Sequence, residues 1–415
     1  MVMELARRVK GLKASDIREI LKLTQQPEMI SFAGGLPAPE LFPAEQMKEA
    51  AIRVLETAGA QALQYSNSEG YLPLREKIAT RMRSKLWIRA SASEILVTVG
   101  SQQGLDLSGK LFLDEGDMLF CESPTYVGAI NAFQVFRPRF VEVPTDEEGM
   151  VIAELEALIA RHGRPKFIYV IPDFQNPSGR TWSLDRRRQF IDFIGRNQIP
   201  VVEDCPYAEL RYDGTPLPPL KALDTHGLVI FLGTFSKILS PGLRIGWLYA
   251  SRALFDKLVV MKQSGDLHSS TLSQMQIAAY LDMCDIEKHI ETLCRVYRQR
   301  RDAMIRTLEA TMPESVEFTR PGGGLFSWVE LPQGLNARVL LRSCLERNVA
   351  FVPGGGFFPN GGHEHAMRLN FSNMPPARIE EGIARLADTV QEALEARAAA
   401  RDEPTTLARA AAAAR

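Results

Sequence analysis

Cysteine is scarce in this chain. Cys121, Cys205, Cys284, Cys294 and Cys344 are scattered through 415 residues with no C-x-x-C pair. An odd, dispersed set is a poor disulfide framework and fits reduced thiols. Long apolar runs are missing as well: none approaches the ~20 residues of a membrane span, and the N-terminus lacks the apolar core of a secretory signal. Cytoplasm is the default expectation. Nor is there an excess of one charge. Lys and Arg total 49 against 50 Asp and Glu, with no basic block to follow a nucleic-acid backbone and no polyacidic tail. No membrane or nucleic-acid partner is expected. The glycine clusters Gly322-Gly-Gly324 and Gly354-Gly-Gly356 lack G-x-G-x-x-G spacing between a strand and a helix, so they read as close backbone approaches or flexible turns. His363-Glu-His365 lacks HExxH spacing and reads as a surface loop, with no metal expected. Cys205, with no histidine nearby in sequence, is taken as a packing residue.

The length exceeds what one simple core holds, so more than one domain is expected. Residues 1–13 are a basic leading arm, and Ser15 caps a helix running to Lys22. Gly34, Gly35, Pro37, Pro39 and Pro43 then impose an irregular segment. From about Ala44 to about Ala250, strand-like runs alternate with helical ones. That pattern predicts a mostly parallel sheet with helices on both faces. Arg244–Ala250 follows its preceding strand too closely for a crossover helix and is expected antiparallel. Long helices are expected over 253–310, and the runs Gly324–Leu331, Val349–Val352 and Ala366–Phe371 predict a smaller α/β domain. The Ala- and Arg-rich end reads as a frayed helix and tail.

Chemistry concentrates in Thr234-Phe-Ser-Lys-Ile-Leu-Ser-Pro-Gly-Leu-Arg-Ile-Gly-Trp247, just past the apolar run Gly227–Gly233. A lysine held at a strand end, Lys237, is open to desolvation. A desolvated lysine stays partly unprotonated, as an imine-forming nucleophile requires. Thr234, Ser236 and Arg244 suit a phosphate. An aldehyde and a phosphate on one small molecule describe pyridoxal phosphate. A lone Ser-Lys pair carries little weight, but three further segments add to it. Val201-Val-Glu-Asp-Cys-Pro-Tyr207 brings Asp204 to a strand end, where a pyridinium nitrogen would be the partner of a buried carboxylate. Phe167–Gly179 ends in Asn-Pro-Ser-Gly, so that Asn176 and Tyr207 are both candidate donors to a phenolate oxygen. Ile95–Gly104 feeds a strand into a small-residue turn and a helix whose free N–H groups face an anion at Ser101 and Gln102. Taken singly, Asp204 is also a helix cap, Asn-Pro-Ser-Gly an ordinary turn, and Ser101-Gln102 a helix start without a ligand. The plain readings leave the joint order unexplained, because the strand ends of an open α/β sheet converge on one crevice.

With these segments in view, the chain resembles a fold-type I pyridoxal-phosphate-dependent aminotransferase of class I. Within that class it is similar to the 2-aminoadipate / kynurenine / broad-specificity group. The resemblance spans about Ala14 to about Leu394. It is carried by Ser31–Pro43, Gln64–Arg75, Pro124-Thr-Tyr126, Asn176–Gly179, Asp204–Tyr207, Ser236-Lys237 with Arg244, and Met367-Arg-Leu-Asn-Phe-Ser372. It implies an α/β fold with a large, mostly parallel, seven-stranded-type sheet and a smaller C-terminal α/β domain. The implied divisions are 1–43 as arm and active-site cover, 44–300 as the large domain, 301–395 as the small domain and 396–415 as tail. It also implies a homodimer with shared sites, with Tyr65 reaching the neighbour's phosphate.

The remaining roles follow from the same resemblance. Lys237 holds the cofactor and serves as the base. Asp204 charges the ring, Asn176 and Tyr207 fix its phenolate, and Tyr126 stacks on its face. Ser101, Gln102, Thr234, Ser236 and Arg244 take the phosphate. Arg368 takes the substrate α-carboxylate beside Asn176, and Gly35 meets the substrate through its backbone. Arg18 meets a distal carboxylate; a solvated helix face is its plainer reading. The reaction implied is transamination between an α-amino acid and a 2-oxo acid, most simply 2-oxoglutarate. Other chemistry on the same scaffold, such as β-elimination from cysteine conjugates or decarboxylation, uses the same residues. A regulatory domain of the kind fused to a winged helix is a further alternative, for which the span before Ser15 offers little room. A non-catalytic binding protein would have no use for the full cofactor set.

Overall fold

The computed structural model describes residues 4–9, 26 and 28–413. The helix expected at Ser15–Lys22, and Arg18 with it, lies outside the described residues. The main sheet has eight strands, in the order Ile95–Thr98, Gly246–Tyr249, Val229–Thr234, Val201–Asp204, Phe167–Val170, Met118–Ser123, Arg139–Asp146 and Gly149–Met150. Seven are strands of the expected kind, and the eighth is a two-residue partner closing one edge. The five strands from Val229–Thr234 to Arg139–Asp146 pair in parallel. Gly246–Tyr249 lies antiparallel between Val229–Thr234 and Ile95–Thr98, as its short connection requires.

These strands read as near-continuous apolar runs because both faces are covered. Side chains alternate across the sheet. Leu119, Phe167, Val202 and Ile230 pack into one core, while Phe120, Ile168, Val201 and Val229 pack into a second on the other face. The parallel strands, and Ile95–Thr98 with them, therefore end along one edge of the sheet. That shared edge is what gathers Gly100, Tyr126, Asn176, Asp204 and Lys237.

A second, four-stranded antiparallel sheet runs Glu317–Phe318, Phe326–Glu330, Ala366–Asn370, Val352–Pro353. The stretch expected as one strand, Val349–Val352, is divided between two pairings. Val349–Ala350 pairs in parallel with Ile30–Ser31, and the chain crosses at Phe351 into the four-stranded sheet. Phe32 continues that link, its N–H donating to Ala350 at 2.7 Å and its carbonyl accepting from Asn370 N–H at 2.8 Å. The N-terminal segment is thus held against the strand that carries Arg368. Helices Arg252–Gly265, Thr271–Met283 and Ile286–Thr311 fill the expected helical span, the last running unbroken through position 300. The helix from Pro376 continues to Ala413. Among the described residues no helix is long and apolar enough to cross a membrane, and no group of three or more His, Cys, Asp or Glu is placed to hold a metal.

Candidate active site

A cavity of about 1540 Å³ opens where the parallel strands end. Lys237 follows Val229–Thr234 into it, and its Nζ donates to the Gly35 carbonyl at 2.8 Å. Burial, then the charges of Arg368 and Arg244, push the Lys237 ammonium down to about 8, with Asp204 pulling the other way. Asp204 ends the adjacent strand Val201–Asp204. Its Oδ2 accepts from the Tyr169 hydroxyl at 3.1 Å. Its Oδ1 is buried with no hydrogen-bond partner. Burial pushes this carboxyl up to about 7, opposed by Tyr169, Lys237 and Ser101. An acid this well shielded is costly as an anion unless a cation meets its free oxygen.

One end of the cavity is built for an anion. Helix Gly100–Phe112 starts here, and Ser101 and Gln102 stand in its first turn, whose N–H groups have no partner within the helix. Gly100 has φ +66°, and a Cβ there would lie 2.6 Å from Arg244 Nη2. Only glycine lets the turn and the guanidinium approach this closely. The Arg244 fork rests against Val99 O and Pro241 O, each at 3.4 Å. Thr234 and Ser236 complete this end, with hydroxyls 2.9 Å apart and the Ser236 N–H donating to Thr234 Oγ1 at 3.0 Å. Gln102 donates its amide to Gly128 O at 2.9 Å, joining this helix to the next, Val127–Gln134. Tyr126 lies over the start of that second helix, where a Cβ on Gly128 would come within 2.4 Å of its ring. Burial raises its phenol.

Arg368 stands at the other end, on Ala366–Asn370, and is 2% exposed. It donates to Asn176 Oδ1 at 2.9 Å and to Ala33 O at 2.6 Å. The guanidinium lies over the Phe326 ring at 4.2 Å and the Phe357 ring at 5.2 Å. Its Nε is buried without a partner. Burial lowers its pKa to about 10, still charged at neutral pH. Tyr207 is buried edge-on to Phe326, and its phenol is pushed far up by burial. A Cβ on Gly35 would lie 3.0 Å from Phe326 Cζ, so little besides glycine fits between that ring and Lys237. The loop carrying Asn176 is stiffened below by Asp173, whose carboxylate takes both Arg187, at 2.9 and 3.0 Å, and Arg211, at 2.9 Å.

Ser101, Gln102, Tyr126, Asn176, Asp204, Tyr207, Thr234, Ser236, Lys237, Arg244, Arg368 and Gly35 thus all line one cavity. Tyr65 does not: it is 80% exposed, edge-on to His268. Several groups at the site carry no signal in the sequence. Tyr169, buried behind the cavity wall against Asp204, reads as one more apolar residue in a strand. Ile130 and Gln134, on the helix after Tyr126, and the segment Val352–Gly361 form an outer wall. Gly356 in that segment faces open space, while Gly354 is a close approach, its Cβ position 2.7 Å from Ala366. Gly323 is likewise a close approach, 2.4 Å from Leu210 O. His363 stacks on Phe358 with centroids 4.0 Å apart.

Residues 28–386 match the family described as aminotransferase class I and II. An aromatic-amino-acid aminotransferase of Thermococcus litoralis is 45% identical over 92% of this chain and 93% of its own length. A 2-aminoadipate transaminase of Thermus thermophilus is 47% identical over 90% of this chain and 93% of its own. Among solved structures, an α-aminoadipate aminotransferase of Thermus thermophilus complexed with N-(5'-phosphopyridoxyl)-L-leucine superposes with TM-score 0.88. It is 44% identical and covers 94% of this chain and 98% of that one.

Proposed function

From the premise that the chain belongs to the class I and II aminotransferases, we propose that its cavity passes the amino group of an L-α-amino acid to 2-oxoglutarate. The enzyme is an aminotransferase of fold type I, and its cofactor is pyridoxal 5'-phosphate. The residues fit that group. The unpaired Oδ1 of Asp204 suits a protonated ring nitrogen, the helix start at Gly100–Gln102 with Thr234, Ser236 and Arg244 suits a phosphate, and a lysine near neutrality suits an aldehyde. Bound there, the cofactor supplies a carbonyl carbon for the amino group and a ring that withdraws electrons.

The chain's own residues do the rest. Lys237, desolvated and flanked by two guanidiniums, is neutral often enough at physiological pH to attack a carbonyl and later to carry a proton. Asp204 holds a positive charge at the ring. Asn176 and Tyr207 donate to its oxygen, and Tyr126 covers its face. Arg368 takes the α-carboxylate of each substrate with a planar fork; its unpartnered Nε supports that role. Asn176 Oδ1, already bonded to Arg368, orients the fork. The observation that carries this reading is Asp204 Oδ1, a buried acceptor left empty beside a lysine pushed down to about 8.

The relatives' names support a broad donor range including 2-aminoadipate and aromatic amino acids. Arg18 reads the distal carboxylate of dicarboxylic substrates. Tyr65, exposed in the single chain, reaches the site of a second copy in a homodimer. The large domain spans 44–300, the small domain 301–395 with the 1–43 arm, and the tail 396–415; the pairing of Ile30–Ser31 with Val349–Ala350 supports grouping the arm with the small domain. The unpaired cysteines suit a cytoplasmic enzyme. The test is a single turnover of the cofactor-loaded enzyme with glutamate. Conversion of bound cofactor to its amine form, with release of 2-oxoglutarate, is expected; no conversion would exclude this acceptor pair. Arg18→Ala should weaken dicarboxylic substrates more than leucine or phenylalanine, and equal losses would remove its role.

A further inference from the structure

The loop that carries Asn176 is pinned by one carboxylate outside the cavity. Glu122, near the end of Met118–Ser123, is 1% exposed. Its Oε2 accepts the backbone N–H of Ile171 at 2.9 Å, where the chain leaves the neighbouring strand Phe167–Val170. Its Oε1 accepts Trp182 Nε1–H at 2.9 Å, where the loop ends. Between them, Gln175 Nε2 lies 3.5 Å from Oε2 and donates to Pro124 O at 2.7 Å, two residues before Tyr126. Gln175 Oε1 accepts Ser178 N–H at 2.8 Å. Entry, middle and exit of the Asn176 loop therefore converge on one side chain, and Gln175 ties them to the Tyr126 turn.

Every group meeting Glu122 here is an N–H donor. Three converging donors call for a side chain that only accepts, which is a carboxylate. An amide of the same shape would set a donor against a donor. Burial pushes the Glu122 carboxyl up to about 7, and the bonds from Ile171, Trp182 and Gln175 pull it back. A buried charge held only by neutral donors is expensive to keep, which asks for a reason beyond packing.

We propose that Glu122 is a positioning residue for transamination, fixing Asn176 and, through the bond from Arg368 to Asn176, the substrate-binding fork. It rests on the reading that Asn176 and Arg368 meet cofactor and substrate. Glu203 provides the comparison. It is equally buried, in the next strand but one, and its carboxylate accepts two backbone N–H groups, Leu220 at 2.7 Å and Lys221 at 2.8 Å. Neither of those residues lines the cavity.

The experiment compares Glu122→Gln, Glu203→Gln and Asn176→Ala as cofactor-loaded enzymes. It reads melting temperature, the pH midpoint of the bound cofactor's absorbance, and kcat and KM for one amino acid. Both glutamate variants are expected to lose stability. Only Glu122→Gln should move the absorbance midpoint in the direction of Asn176→Ala, with kcat/KM down about tenfold or more. Glu203→Gln should stay within about twofold of the parent. If Glu122→Gln matches Glu203→Gln in spectrum and kinetics while Asn176→Ala moves both, the proposal is overturned. If Asn176→Ala moves neither, the reading beneath it fails instead. Gln175→Ala leaves Glu122 in place and gives a second reading should Glu122→Gln not fold. It is expected to move the midpoint the same way, and an unmoved midpoint counts against the proposal.

Discussion

Replacing Asp204 with Asn should stabilise the cofactor-free protein while crippling the enzyme. In the folded chain one oxygen of Asp204 has Tyr169 and the other has no partner. Burial raises the carboxyl from 3.8 to about 7. Between those pH values the native state keeps a proton that the unfolded chain has released. Stability therefore falls as pH rises through that window, and the loss is complete above about 7. At roughly 1.4 kcal/mol per pH unit, the carboxylate costs the empty protein on the order of 4 kcal/mol at pH 8. Asn carries no charge and should recover much of that, on the order of 2–4 kcal/mol. Urea unfolding of cofactor-free parent and variant at pH 4 and pH 8 measures it. Glu122 and Glu203 are also pushed up to about 7 by burial, but they titrate in both proteins and cancel in the difference. The gap should be small at pH 4, large at pH 8, and closed or reversed once the cofactor is bound. The loaded variant's kcat is expected to fall about a hundredfold or more. A variant less stable than the parent at pH 8 without cofactor would mean that Oδ1 is already paired. A gap unchanged by cofactor would mean that no cation ever meets it.

Gly100→Ala should weaken cofactor binding about tenfold, because the new methyl meets Arg244 Nη2 at 2.6 Å and the residue keeps φ +66°; a titration of cofactor-free protein measures it, and unchanged affinity would remove Arg244 from the anion end. The rate of cofactor capture should rise with pH through about 8 and then level off, since burial and two nearby guanidiniums lower Lys237 to that value. At pH 7 roughly a tenth of Lys237 is then neutral, against about one part in three thousand for an ordinary lysine. A midpoint above pH 10 would show an unperturbed amine.

The groups closest to the chemistry were legible because each closes a strand-like run. Lys237, Asp204, Asn176 and Ser101 sit at or just past the ends of four apolar segments, and parallel strands end on the same side. Local sequence therefore carried a long-range fact. What stayed hidden depends on which strands are neighbours. Tyr169 reaches Asp204 because Phe167–Val170 pairs with Val201–Asp204 in register, and nothing within either run says so. Ala33 reaches Arg368 because an N-terminal segment docks beside a strand more than three hundred residues away in sequence. Phe326 reaches it because Phe326–Glu330 pairs with Ala366–Asn370. The break at Phe351 was invisible for the same reason: Val349–Val352 has one uniform pattern but two different partners. Tyr65 was assigned from resemblance alone, and a single chain leaves it in solvent.

Borohydride reduction of the cofactor-loaded protein, followed by peptide mapping, is the most direct trial of the lysine. A stable phosphopyridoxyl mass on the peptide containing Lys237, and its loss in Lys237→Ala, is the predicted result. Label on another lysine, or none on a protein that has taken up cofactor, would contradict it.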